Sequence, residues 1–326
     1  MGEEKAIGAL VAILVSVVVP SRNEGTNIRR LIGGLEAQSI DREQFELIIA
    51  DDGSSDGSTE GIERDGWLRV VHAEGQGPYV ARNLGARVAR GSFLAFTDAD
   101  CLPEPSWLER GLAALEDSDL VAGLIRLKQP ARRTIWALLD VDLHLDQKRT
   151  VREGHATTAN LFARRELFER LGGFEERRRS GGDYDFVHRS VASGARLGTA
   201  WDAVVWHSPR EERRTFLAKI WRINAECARI ETIDGRRPPR LRLRSWIPVI
   251  ETLCGRLRFR RTIGLDRARL SGEGLAPVLA ERLIALPLLY LLVPYYANAA
   301  QFKGWLVGRR QRRLSVSPTE PDDTPV

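Results

Sequence analysis

The first hundred residues alternate between two hydrophobic periods. Leu14 to Val19 is a run of mostly β-branched apolar residues, the pattern of a strand buried on both faces. Ile28, Leu31, Ile32 and Leu35 then recur at the i, i+3, i+4, i+7 spacing of an amphipathic helix. Phe45 to Ala50 predicts a second strand and Leu68 to Val71 a short third. Val80, Leu84 and Val88 share one face of a second helix, which Gly91 closes. Phe93 to Phe96 predicts the fourth strand. The order β-α-β-β-α-β implies an α/β fold with an open, mostly parallel sheet flanked by helices on both faces. In such sheets ligands bind outside the carboxyl ends of the strands.

Further along, Leu120 to Leu127 predicts a strand, Ala131 to Asp146 a helix, Tyr184 to Ser193 a helix and Ala203 to Trp206 a strand. After His207 the pattern is helical and rich in arginine. Pro238-Pro239 marks a natural boundary. It separates an expected catalytic domain, 1–237, from a helical basic region, 238–314, and a polar, disordered tail, 315–326.

Two apolar stretches bear on location. Ala6 to Val19 is short, follows Glu3 and Glu4, and ends in a strand-like run, so it reads as the first core strand with a lead-in and not as a signal peptide. Leu283 to Ala300 carries no charge, and as a helix it would extend ~27 Å, near the bilayer core thickness. Pro287 and Pro294 interrupt it, and arginines flank both sides. An in-plane or re-entrant segment would leave both flanks on the cytoplasmic side of the cell membrane. The alternatives are a full single span and a buried core helix.

The 326-residue chain is 43% hydrophobic with a net charge of +5, a globular composition and not a disordered one. Arginine crowds Arg210 to Arg269 and Arg309 to Arg313, which suits anionic lipid or phosphate. No helix-turn-helix, zinc-finger or RNA-recognition pattern accompanies it, so a nucleic-acid partner is not expected. Cys101, Cys227 and Cys254 are scattered and odd in number, which fits a reducing compartment and no disulfide framework.

Polar clusters follow three of the strands. Pro20-Ser21-Arg22-Asn23-Glu24 follows the first, Asp51-Asp52-Gly53-Ser54 the second, and Asp98-Ala99-Asp100 the fourth. Two carboxylates one residue apart at a strand end can share a hard cation such as Mg²⁺ or Mn²⁺, which usually brings substrate phosphates with it. Asp before Gly is also a common turn residue, so Asp52 has an Asx-turn reading beside a binding one. Arg82 and Asn83, near the start of the second helix, can meet a phosphate together with the helix N–H groups, or stand as a surface arginine beside a capping asparagine. Gly75-Gln76-Gly77-Pro78 lacks the P-loop and dinucleotide patterns and reads as the turn into that helix. Arg132-Arg133 and Arg177 to Arg179 read first as a solvated face and second as the lining of an acceptor path for anionic lipid phosphate.

With these clusters in order, the chain resembles the family 2 glycosyltransferases of GT-A fold. Val17 to Glu24 resembles their first strand and loop, Ile48 to Ser58 their nucleotide loop, and Ala81-Arg82-Asn83-Leu84-Gly85 their A-R-N-x-G helix. The likeness continues through Asp98-Ala99-Asp100, Thr158-Ala159-Asn160-Leu161, Gly172-Gly173-Phe174 and Gly182-Asp183-Tyr184-Asp185-Phe186 to Val204-Val205-Trp206-His207. The resemblance implies a metal-dependent, inverting transfer from a nucleotide-diphosphate sugar to a hydroxyl acceptor, lipid-linked or soluble, in cell-envelope glycan or glycolipid synthesis. It implies donor contacts from Pro20, Arg22, Glu24, Asp52, Arg82 and Asp98. It also implies Mn²⁺ or Mg²⁺ on Asp98, Asp100 and His207, and Asp183 as general base. Where the family usually has Glu-Asp, this chain has Gly182-Asp183. Asp185 is the substitute base, and Asp183 has a second reading as the cap of the helix that follows. A nucleotidyltransferase also sets a carboxylate-bound metal beside a nucleotide, but it often carries a glycine-rich loop after its first strand, and none stands here. A non-catalytic membrane scaffold of the same fold is the third reading, against which the retained Asp98, Asp100 and Asp183 stand.

Overall fold

The computed structural model describes residues 13–64, 66–131, 134, 136–137, 139–140, 144–235 and 293–315. Eight strands, β1 (Val15–Ser21), β2 (Phe45–Asp51), β3 (Leu68–His72), β4 (Phe93–Thr97), β5 (Cys101–Pro103), β6 (Leu120–Leu127), β7 (Asn160–Arg164) and β8 (Leu197–His207), form one sheet in the order β3-β2-β1-β4-β7-β6-β8-β5. The first four in that order run parallel, as do β6 and β8. β7 is antiparallel to β4 and β6, and β5 to β8. The helices are α1 (Asn27–Glu36), α2 (Pro78–Arg87), α3 (Trp107–Ala114), α4 (Gln147–Arg152), α5 (Arg165–Arg170), α6 (Gly182–Ala192), α7 (Arg213–Ile233) and α8 (Val293–Ser315). The described residues form two compact units, one drawn from Met1–Gln129 and Leu145–Ser208, the other from Pro130–His144 and Pro209–Val326. α7 thus belongs to the second unit, and the boundary expected at 237 abuts residues outside the described set.

In the first unit the strand pleat sends alternate residues to opposite faces. Val15, Val17 and Val19 join Ile28, Leu31, Ile32 and Leu35 of α1 with Trp107 and Leu108 of α3. Val18, Ile48 and Phe96 join Tyr79 and Ala86 of α2, Phe168 of α5 and Phe186 of α6. Each fully buried aliphatic side chain here contributes about 1.5–3 kcal/mol relative to exposure. Strands β1 to β4 stand where the hydrophobic pattern put them, each reaching one or two residues further at its carboxyl end. β5 has three residues, too few for a periodic signal, and β7 was visible only as part of a motif.

Two helix expectations need correction. α2 exists, but Val80, Leu84 and Val88 are only half-buried. Its buried face instead carries Tyr79, Arg82, Asn83, Gly85 and Ala86, because polar partners await those side chains beneath it. The helix expected over Ala131 to Asp146 does not run through. Leu145 takes φ 60, and Asp146 caps a new helix by accepting from Arg149 N at 3.1 Å.

In the second unit α7 and α8 lie in close contact. A Cβ at Gly308 would fall 2.6 Å from the Arg229 carbonyl oxygen, and one at Gly304 would overlap the Ala225 carbonyl. Two glycines four apart let the backbones approach. Leu139, Phe216 and Ile220 form the unit's small apolar cluster. Beside it, the fully buried Asp140 carboxylate meets His144 Nδ1 at 2.8 Å, Lys219 Nζ at 3.4 Å and Arg210 Nη1 at 3.6 Å. Burial pushes the Asp140 acid up, but the His144 hydrogen bond and the Lys219 and Arg210 charges outweigh it, so it lies well below the usual carboxylate range. Burial also pushes Lys219 down to about 8.

An acid whose folded pKa is depressed stabilises the fold above its unfolded value, about 3.9 here, and loses that contribution as pH falls through the folded value. The second unit should therefore weaken as pH drops below about 4. Asp140→Asn should cost about 3 kcal/mol at neutral pH, because buried cations lose their counter-charge. It should also flatten the acid dependence in denaturant titrations; identical acid slopes in the two proteins would refute this account.

Leu283 to Ala300, the expected membrane segment, lies outside the described residues up to 292, and its remainder opens α8. Among the described residues no helix is long and apolar enough to cross a membrane.

Candidate functional site

The loops after β1 and β2 are laced together. Parallel pairing sets Pro20 beside Ala50 and Ser21 beside Asp51, so both strands deliver their loops to the same edge. Asn23, at φ 55, accepts from Ser55 N at 2.7 Å and donates its own N–H to Ser54 Oγ at 3.0 Å. Gly25 N donates to Asp56 at 3.0 Å. Glu24 accepts from the Asn27 side chain at 3.2 Å at the start of α1. The turn reading considered for Asp52 belongs to its neighbour: Asp51 accepts from Ser54 N at 3.0 Å, from the Ser54 hydroxyl and from Thr59. Asp52 points the other way. Its two carboxylate oxygens accept from Gly77 N at 3.0 and 3.1 Å, and Arg22 Nη1 stands 3.7 Å away.

Gly77, at φ 119, is the residue that caps α2, and Pro78 opens the helix. Gly75 to Pro78 is therefore the turn into α2, as its composition predicted. Gly85 lets the helix lie close on the sheet, since a Cβ there would come 2.7 Å from Val18 Cγ1. That approach buries Arg82, which is neither a surface residue nor partnerless. Its guanidinium donates to Asp98 Oδ1 and lies over the Tyr79 ring at 5.4 Å.

Asn83 does not face a ligand. It donates to Phe174 O at 2.8 Å and Glu176 Oε1 at 3.0 Å, and accepts from Phe174 N at 2.9 Å. It thereby fixes the Gly172-Gly173-Phe174 loop to α2. Asn83→Ala would strand two buried backbone groups, and about 2–4 kcal/mol of stability should be lost, read as a fall in the urea midpoint at constant m. A midpoint within experimental error of the parent would remove Asn83 as the clamp.

The carboxyl end of β4 supplies Asp98 and Asp100. β5 pairs antiparallel with β8 and puts Cys101 beside His207. Asp100 Oδ2 consequently lies 3.1 Å from the buried His207 Nε2. Burial raises the Cys101 thiol pKa, and the charges of Asp100 and Asp98 add to the effect, so this corner carries negative potential. Among the described residues no group of three or more His, Cys, Asp or Glu side chains is gathered to hold a metal by itself. Asp100 and His207 do meet, whereas Asp98 turns to Arg82. One carboxylate and one imidazole, with remaining positions open to phosphate oxygens and water, fit the chemistry of a Mn²⁺ or Mg²⁺ that arrives with its substrate.

Asp183 lies in the first turn of α6. It is not the cap, a place taken by Gly181 in the left-handed region. Its carboxylate accepts from the Tyr79 hydroxyl at 3.0 Å and, on the other oxygen, from Thr158 N at 3.3 Å. Asp185 is committed elsewhere: Arg189 Nε donates to it at 2.8 Å and Arg178 Nη2 stands at 3.5 Å. Arg189 also donates to Leu171 O and Gly173 O, so Asp185 holds α6 to the preceding loop. Tyr184 is more than a third exposed and stacks on His155 at 3.9 Å beside Asp183. Tyr79, Thr158 and His155 were given no role by sequence; the one available signal for Tyr79 was its place three residues before Arg82, on the same helical face.

The amino-terminal turn of α2 is thus the meeting point. Gly77 is held by Asp52, Arg82 by Asp98, and Tyr79 reaches Asp183. Three segments, those of Asp52, Asp98 and Asp183, converge on one helical turn, with Asp100 and its partner His207 two residues beyond Asp98.

The profile of Glycosyl transferase family 2 matches residues 16–172. The chain is 32% identical over 204 residues to Glycosyltransferase AglE of Haloferax volcanii, a match covering 60% of this chain and 67% of that one. It is 29% identical over 223 residues to the pre-mycofactocin glycosyltransferase of Mycobacterium tuberculosis, covering 63% of this chain and 45% of the relative, so it spans less than half of that protein's length. Among solved structures, the mannosyltransferase PcManGT from Pyrobaculum calidifontis, in complex with GDP-Man and Mn²⁺, superposes with a TM-score of 0.54 over 93% of this chain and 88% of its own, at 21% identity. That likeness is one of fold.

Proposed function

Because this chain belongs to glycosyl transferase family 2 and is a glycosyltransferase, we propose that it transfers a sugar from a nucleotide-diphosphate donor to a hydroxyl acceptor with inversion, assisted by Mn²⁺ or Mg²⁺. The observation that carries this reading is the convergence of Asp52, Arg82–Asp98 and Asp183 on one turn of α2, with Asp100–His207 adjoining. Asp52 has the chemistry to accept a nucleobase N–H while it keeps Gly77 in place. Pro20, Arg22 and Glu24 form the loop beside it. Arg82, buried and anchored by Asp98, presents a fixed positive charge near the place where the diphosphate would lie. Asp100 and His207 would hold the cation, which when bound offsets the charge gathering on the departing nucleotide. Asp183, across the α2 turn, accepts the acceptor hydroxyl's proton as that oxygen attacks the anomeric carbon. Tyr184, exposed on its His155 platform, is an apolar face suited to an acceptor ring. Asp185 is not the base in this reading, since two arginines already occupy it.

The test is a donor screen. Purified protein with Mn²⁺ or Mg²⁺ is given UDP-, GDP- and dTDP-sugars, and nucleotide release is followed. Release from one nucleotide class, dependent on metal and on Asp183, is the expected result; release from none of the panel, with sugars also untransferred to lipid and soluble acceptors, would sink the reading.

The same reading places the enzyme on the cytoplasmic side of the cell membrane, where it acts in cell-envelope synthesis on an acceptor that is lipid-linked. Support comes from the uncharged stretch 283–300 and from the outward side of α8, where Phe302, Leu306 and Val307 are exposed. Arg309, Arg310 and Arg312 follow them, exposed, and the helix contains no acidic residue. Apolar side chains beside a run of cations suit an anionic lipid surface. The full chain should sediment with vesicles containing phosphatidylglycerol, and Phe302→Glu with Leu306→Glu should weaken that binding at least tenfold. Equal recovery of the variant in the pellet would exclude this face.

A further inference from the structure

We propose that Tyr79 is the positioning residue for Asp183, and that Gly182 is a glycine because the Tyr79 ring fills the space a side chain would need. The inference rests on the reading of Asp183 as general base and adds what orients it. Tyr79 is 5% exposed, in the first turn of α2. Its hydroxyl donates to Asp183 Oδ1 at 3.0 Å, while Thr158 N donates to Oδ2 at 3.3 Å. Tyr184 N also donates to Oδ1, at 3.0 Å, so donors on both oxygens fix the plane and the rotation of the carboxylate, and Oδ2 keeps a lone pair for an acceptor hydroxyl. A Cβ at Gly182 would lie 2.8 Å from Tyr79 Cδ2 and Cε2 and 2.9 Å from Cγ. A side chain at this position has no room beside this tyrosine.

The ring is itself immobilised. Phe174 packs on it at 5.5 Å between centroids, and the Arg82 guanidinium lies over its other part at 5.4 Å. Burial, with the Asp183 charge adding, raises the Tyr79 phenol above its ordinary value, so the hydroxyl remains a proton donor throughout the working pH range. Because Arg82 also binds Asp98, a single helical turn sets the position of the leaving-group side and of the base together.

The decisive variant is Tyr79→Phe, which keeps the ring and its packing and removes one donor. A hydrogen bond to a carboxylate favours the ionised form, so losing it raises the pKa. The acid limb of the kcat profile should move up by about one unit, with plateau kcat down roughly tenfold and donor KM within about twofold. Gly182→Ala should produce the same limb shift by pushing the ring off Asp183. An unmoved limb in Tyr79→Phe would overturn the inference, even if KM rose, because a packing role alone alters no proton equilibrium. The two readings separate cleanly. If Asp183→Asn transfers normally, both fall; if Asp183→Asn is crippled and the Tyr79→Phe limb stays put, the base stands and only the positioning role is lost.

Discussion

Asp183→Asn should lower sugar transfer by roughly two orders of magnitude or more while leaving donor affinity in place. The substitution is nearly isosteric. It preserves the hydrogen-bond acceptor toward Tyr79 on one side of the amide but cannot take a proton from the incoming hydroxyl. In this reading nucleotide binding rests on Asp52, Arg82 and the loop after β1, whereas the contact of Asp183 with the α2 turn is to the Tyr79 hydroxyl. The loss should therefore appear in kcat and not in donor KM. Asp185→Asn is the matched control. It should leave the pH profile of turnover intact and lower thermal stability instead, because Arg189 and Arg178 lose their counter-charge. If Asp185→Asn is the variant that abolishes transfer and Asp183→Asn is mild, the assignment of the base is reversed.

Asp100→Ala should reduce turnover by roughly three orders of magnitude, since a bound cation is worth several kcal/mol against the charge of the leaving diphosphate and each 1.36 kcal/mol is tenfold. His207→Ala should follow in the same direction with a smaller loss. Chelation with EDTA should reproduce the Asp100→Ala effect in the parent protein, and added Mn²⁺ should reverse the chelation but not the mutation. Asp98→Ala should differ in kind: it strands the buried Arg82 guanidinium as well as removing a carboxylate, so stability should fall along with activity. Full turnover of the parent in excess chelator would end the metal assignment, whatever Asp100→Ala did.

The sequence by itself determined the parts of this protein whose signals are local. A run of β-branched residues makes a strand wherever the sheet needs one, so β1 to β4 were legible in their succession along the chain, though not in their order across the sheet, and the polar clusters after β1, β2 and β4 followed from the direction of those strands. The turn at Gly75 to Pro78 was legible for the same reason, because a positive φ and a helix-opening proline are properties of the residues themselves. What each side chain in those clusters does was decided by tertiary structure. Asp51 and Asp52 are chemically identical neighbours, yet the pleat sends one into its own turn and the other to Gly77. Arg82 and Asn83 are adjacent on one helix, yet one meets Asp98 and the other clamps Phe174. The apolar periodicity of α2 pointed to Val80, Leu84 and Val88, because hydrophobic pattern counts apolar residues and cannot register a buried face made of tyrosine, arginine and asparagine. Tyr79 and Asp183 are 104 residues apart, and Asp100 lies in the turn between β4 and β5 while His207 ends β8. Such pairs become visible only when the sheet brings β4, β5 and β8 to one edge and α2 down onto Val18, since a hydrogen bond depends on distance and direction that no spacing along the chain records.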